Sequence, residues 1–181
     1  MLLFKLRAVL PRVVTAAVVA FALTACTPTL DWREVRPAGS GALLLMPCKP
    51  SLQSRAVPLA NKKVQMSLWS CDAGGQTWAL AHADMGEPGK VNAALVDLQT
   101  AAAANIGAVD VKPLPLQIPG VTPYTASQRV QWRGQLPDGR PVRAQLAVFA
   151  RGSVVFQATM MGETLSAEGA ETFFAALRPA P

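Results

Sequence analysis

The chain has 181 residues, 51% of them apolar, and a formal charge of +6 from 17 Lys and Arg against 11 Asp and Glu. That length holds one ordinary domain plus a targeting segment and excludes a multidomain assembly. Lys5, Arg7 and Arg12 supply three of the 17 basic groups and every acidic group lies beyond residue 25, so 14 basic groups face 11 acidic ones there and the excess falls to +3. So small an excess, spread over scattered arginines, excludes the clustered basic face of a nucleic-acid binder.

Residues 1–12 hold three cations and no acid, and residues 13–25 are apolar and end in small side chains. A charged start, an apolar middle and a small-residue end are the pattern of a secretory signal peptide over residues 1–25. The apolar run falls short of the roughly 20 residues that span a bilayer. Leu23-Thr24-Ala25-Cys26 resembles the bacterial lipobox. The resemblance implies that the Cys26 sulfur accepts a diacylglycerol, that the signal is cut before it, and that N-terminal acyl chains then hold the protein to a membrane. Thr27, where an Asp would mark inner-membrane retention, implies the outer membrane, facing the periplasm.

Residues 26–40, rich in Pro, Thr and Gly, read as a flexible tether. Trp32 within it either pins the tether to the domain or sits at the membrane interface. A single domain is expected over residues 41–178. Gly41–Met46 reads as a short buried strand stopped by Pro47. Residues 53–60 and 63–71 read as a hairpin turning at Asn61-Lys62, since Asn tolerates positive φ. Thr77–Asp84 is a third strand with Trp78, Leu80 and His82 on one side. Ala79, Ala81 and Ala83 on its other side suit a closely packed helix. Gly86-Glu87-Pro88-Gly89 breaks the strand, and Val91, Leu95, Leu98 and Ala102 recur at helical spacing over 91–106.

Val109–Ile118 alternates but carries Pro113 and Pro115, which fits an edge strand. Ser127–Leu136, Val142–Ala150 and Val154–Met161 are further strands, the first two joined by a Pro137-Asp138-Gly139 turn. Ser166 is an N-cap for a helix over 166–177 anchored by Phe173, Phe174 and Leu177. Hairpin-linked strands interrupted by two helices define an α+β domain, an antiparallel sheet of about seven to eight strands with two packed helices.

Cys26 apart, two thiols remain. The even pair Cys48 and Cys71 in an oxidising compartment points to a disulfide, the alternative being free thiols. With the hairpin turning at 61–62, Cys71 falls opposite about residue 52 and near Cys48. The spacing is not Cys-x-x-Cys and His82 is the lone histidine, so the sequence calls for no metal and no cofactor.

Leu45-Met46-Pro47-Cys48-Lys49-Pro50, Trp78–Asp84, the alanine-rich helix ending in Asn105-Ile106-Gly107, and the strand at 154–161 leading into Phe173–Leu177 together resemble the PsbP/Mog1-like α/β-sandwich group. The resemblance implies that fold and includes small envelope proteins of unassigned function. It implies no shared catalytic residue.

No serine sits in a Gly-x-Ser-x-Gly elbow, so no catalytic residue is assigned. His82 and Asp84, two apart on one strand face, define the alternative of a small hydrolase-like polar site, against a histidine simply packed at the sheet surface. Arg129, Arg133 and Arg143 neighbour one another across the Asp138-Gly139 hairpin. They form either a surface for an anionic partner or ordinary solvated strand faces. The expected function is a non-enzymatic binding or assembly-accessory role for a lipid-anchored envelope protein, with the membrane and possible envelope proteins as partners.

Overall fold

A computed structural model describes residues 29–180; the signal segment and Cys26 lie outside the described residues. Ten strands and two helices follow in the order β1 (Arg33–Val35), β2 (Ala42–Met46), β3 (Ser51–Leu59), β4 (Lys62–Ala73), β5 (Gln76–Asp84), α1 (Pro88–Asn105), β6 (Val109–Leu114), β7 (Gln128–Gln135), β8 (Pro141–Arg151), β9 (Val154–Gly162), α2 (Ala167–Ala175) and β10 (Arg178–Pro179). Seven form one antiparallel sheet in the order β3-β4-β5-β9-β8-β7-β6, and β1-β2-β10 form a small second sheet. The protein is an α+β sandwich.

Both faces of the large sheet are covered, each for a reason visible in the alternation of its strands. On one face Val64, Ala83, Val130, Trp132, Leu146, Val148 and Val155 meet Val91, Ala94, Leu95 and Leu98 of α1. On the other, Trp78, Leu80, Phe149, Phe156 and Met160 meet Phe173 and Phe174 of α2 and Leu44 and Met46 of β2. The central strands β8 and β9 therefore carry apolar residues at nearly every position, and polar ones gather on β3 and at strand ends.

The hairpin of β3 and β4 turns at Ala60-Asn61, both with positive φ (49° and 59°), the pair of left-handed residues that a tight two-residue turn requires. Leu59 faces Lys62 and Leu52 faces Trp69, a pairing displaced by two residues from the expected Asn61-Lys62 turn. A two-residue shift keeps every side chain on its face, so the expected core assignment survives it. The Asp97 carboxylate accepts the Ala60 N–H at 2.7 Å and holds the turn against α1. Helix α1 starts at Pro88, not Val91: proline's fixed φ and missing N–H suit the first helical turn, so the expected breaker is a start.

The expected tether is packed on the domain within its described part, from Thr29 on. The Asp31 N–H bonds the Pro47 carbonyl at 2.8 Å, Arg33–Val35 pairs with Leu44–Met46, and Trp32 packs edge-on against Trp78. Strand pairing with β2 and the contact of half-buried Trp32 with Trp78 outweigh the local Pro and Gly content. Two close approaches demand glycine. A Cβ at Gly134 would lie 2.2 Å from the Ile106 carbonyl oxygen at the end of α1, and one at Gly169 would lie 2.9 Å from the Trp78 ring.

Cys48 and Cys71 form a disulfide, with Cα atoms 6.0 Å apart and a sequence separation of 23. It ties the segment after β2 to the end of β4. Replacing both cysteines with serine is expected to cost about 3 kcal/mol, the value for closing a loop of this length in the unfolded chain. Urea unfolding of the variant against the oxidised parent measures it, and an unchanged midpoint would contradict it.

Candidate functional site

The three arginines do not form one surface. Arg129 on β7 is buried, and its Nη2 donates to Glu171 Oε1 at 3.0 Å and Gln145 Oε1 at 2.8 Å. Its guanidinium carbon lies 4.1 Å from the centre of the Phe174 ring. The periodicity places Arg129 correctly on the face opposite Val130 and Trp132. That face is covered by α2, which a reading of β7 alone does not reveal. Arg133 and Arg143 face each other across β7 and β8 and are both exposed. Arg133 is paired with Asp110, whose positive φ of 54° sits in the bulge of β6.

His82 and Asp84 also part company. The imidazole is buried 6.2 Å from the Phe156 ring, and its Nε2 has no hydrogen-bond partner among the described residues. Burial pushes its pKa below the ordinary 6.5. Asp84 is exposed at the strand end. It accepts the Ser153 hydroxyl at 2.7 Å and the Gly86 N–H at 2.8 Å, and these bonds, aided by the Lys62 charge, hold its carboxyl below the usual range. Among the described residues no hydrogen bond joins His82 to Asp84, and no group of three or more His, Cys, Asp or Glu gathers to hold a metal.

The chief concavity lies on the other side of the sheet, beside α1. An inner chamber of about 260 Å³ runs beneath the end of α1, bounded by Leu68, Ala79, Ala102, Ile106, Trp132 and Leu146. An outer trough of about 750 Å³ lies between α1 and the β3–β4 hairpin, with Arg55, Val57, Met66, Leu98 and Ala101 along it. Leu68, Ala102, Asn105 and Gln157 border both, so the two spaces adjoin. The cause is side-chain size. The Ala101–Ala104 run of α1 stands over Ala79 and Ala81 of β5, and methyl groups on both sides leave the gap unfilled. The alanines expected to draw a helix close do so at Ala83 and leave space at Ala79 and Ala81.

Three of the polar side chains that line the chamber have protein partners. Gln157 Nε2 donates to Thr159 Oγ1 at 3.2 Å, and Thr77 Oγ1 donates to Asp72 Oδ1 at 2.6 Å. The surface that the chamber exposes is mostly apolar. Comparison of the chain with protein-family profiles and with curated proteins finds no match.

Two outcomes follow from the arginine and histidine positions. Arg129→Ala is expected to destabilise the fold by about 2 kcal/mol, through lost stacking on Phe174 and an orphaned Gln145, whereas Arg143→Ala changes it by less than about 0.5 kcal/mol. Equal costs in chemical denaturation would refute that difference. Because His82 titrates lower folded than unfolded, its contribution is fully present above pH 6.5 and is lost as pH falls from 6.5 through the folded value. Urea midpoints at about pH 7.5 and 5.5 should therefore differ more for the parent than for His82→Gln; parallel shifts would show that His82 is not the source.

Proposed function

We propose that the protein is a lipid-anchored lipoprotein of the bacterial envelope, held through Cys26 at the periplasmic face, with a non-enzymatic binding or assembly-accessory role. The observation that carries the binding part is the placement of the concavity: its lining is mostly apolar, with hydroxyl and amide groups and with Arg55 and Asp97 along the outer trough, and the chain's lone histidine lies on the opposite face of the sheet. The Cys48–Cys71 bond supports the compartment, since disulfides persist in the oxidising periplasm. The lipobox-like Leu23–Cys26 supports the anchor, and the two-helix antiparallel sandwich is in keeping with the PsbP/Mog1-like resemblance.

Mass spectrometry of the mature chain from membranes should find its N-terminus at Cys26 carrying a diacylglycerol. Inhibition of the lipoprotein signal peptidase should leave residues 1–25 attached. A membrane-anchored mature form from Cys26→Ser would overturn the anchor. Turnover of ester, peptide or glycan substrates that disappears in His82→Ala would overturn the non-enzymatic role.

A further inference from the structure

The chain enters the fold at the β4–β5 turn, with Leu30 and Trp32 packed on the α2 face of the sheet, opposite the trough. Thr29 and Leu30 lie over Gly74 in the β4–β5 turn, where a Cβ would come within 3.2 Å of Leu30 and 3.6 Å of Thr29. Ser70 and Thr77, next to that turn, border the inner chamber. Only Thr27 and Pro28 separate Cys26 from Thr29, a span of at most about 10 Å when extended. An acylated Cys26 would thus hold this end of the domain against the bilayer surface.

The trough's chemistry is that of an amphiphile site. The inner chamber is small and apolar, and the adjoining outer trough falls within the roughly 300–1,000 Å³ typical of ligand pockets. Arg55 is exposed on its β3 side and makes no ion pair among the described residues. The one carboxylate along the trough, Asp97, keeps its charge and is held at one oxygen by the Ala60 N–H of the β3–β4 turn. A free cation beside an apolar slot, in a chain with a positive excess beyond residue 25, favours an anionic head group with a hydrocarbon tail.

We propose that the trough holds one acyl chain of an anionic membrane lipid, with the tail in the inner chamber and the head group at Arg55. The source of the lipid rests on the anchored-lipoprotein reading; the site itself does not. The ligand is drawn from the membrane to which the protein is tied, so the accessory role becomes the holding or presentation of lipid.

The test uses the mature full chain mixed with vesicles of phosphatidylglycerol carrying a photoactivatable diazirine on one acyl chain, and in parallel with phosphatidylcholine vesicles bearing the same label. After irradiation, labelled peptides are mapped by mass spectrometry. Labelling is expected on the peptides that hold Leu68 and Ala102, stronger from phosphatidylglycerol. Arg55→Glu, on an exposed strand, should lower it about tenfold, as expected for one charge-assisted contact. Ala102→Phe should abolish it by filling the gap, with its thermal unfolding measured alongside. If Ala102→Phe unfolds the domain, Arg55→Glu decides alone.

Label confined to other segments, label insensitive to Arg55→Glu, or no label on an acylated chain would overturn the proposal. Trough labelling on a chain whose N-terminus carries no acyl group would support the site and overturn the anchor instead. Capture of a peptide rather than lipid in the trough would likewise overturn the proposal.

Discussion

The Trp78 indole is the contact on which the sandwich depends. It is fully buried near the start of β5, with Trp32 edge-on at 5.6 Å and Phe173 edge-on at 5.5 Å. Its Nε1 donates to the Ala73 carbonyl at 3.2 Å, so the buried polar edge is satisfied. One side chain thus joins the N-terminal segment, α2 and the large sheet. Gly169 is the cost of that arrangement, because the first turn of α2 must lie directly on the ring. Edge-to-face aromatic pairs are each worth about 1 kcal/mol beyond their area. More important is geometry: two pairs on one rigid ring fix the angle at which the small sheet and α2 meet the large one.

Against that well-filled face, the α1 face is uneven. Trp132, Leu146, Val148 and Val155 interlock with Val91, Leu95 and Leu98, and all of them are buried. Toward β4 and β5 the matching side chains are alanines and the layers do not meet. A gap in a stabilising layer forfeits dispersion contacts, so the chain carries a stability cost on the side where it has a concavity. The Arg129 network on the opposite face, running from Gln131 through Gln145 to Glu171, locks α2 to β7. The rigid face and the open face are therefore separate structures, and the open one can accept a guest without disturbing the aromatic centre.

Much of this was legible in the residues. Period-two alternation located the strands of the large sheet, and Ser166 capped α2 as its residue type requires, accepting the Gly169 N–H at 3.0 Å. The Cys48–Cys71 pairing followed from cysteine arithmetic. What alternation cannot state is how many faces of a sheet are covered. Arg129 sits on the face that β7 shares with Arg133, yet α2 buries the first and leaves the second in solvent. Strands β1 and β10 escaped notice because each is two or three residues long and owes its pairing entirely to β2. The trough was hidden for a related reason: alanines at 79, 81 and 101–104 signal small side chains, and only the tertiary spacing decides whether small means close or empty.

The disulfide and the N-terminal segment together fix how the chain enters the domain. Cys48 follows β2, Cys71 ends near the β4–β5 turn, and Thr29 and Leu30 lie over that same turn. A pull on the chain at residue 29 would first meet the Asp31–Pro47 hydrogen bond and the Trp32–Trp78 contact, and then a covalent link into β4. Peeling the first strand away would expose Trp32 and strip one aromatic partner from Trp78, which opposes it. A chain tethered by a long flexible linker samples all orientations over a membrane. With so few residues between Cys26 and the packed segment, an anchored domain would instead keep the β4–β5 turn toward the bilayer, so that orientation follows from the packing of Trp32.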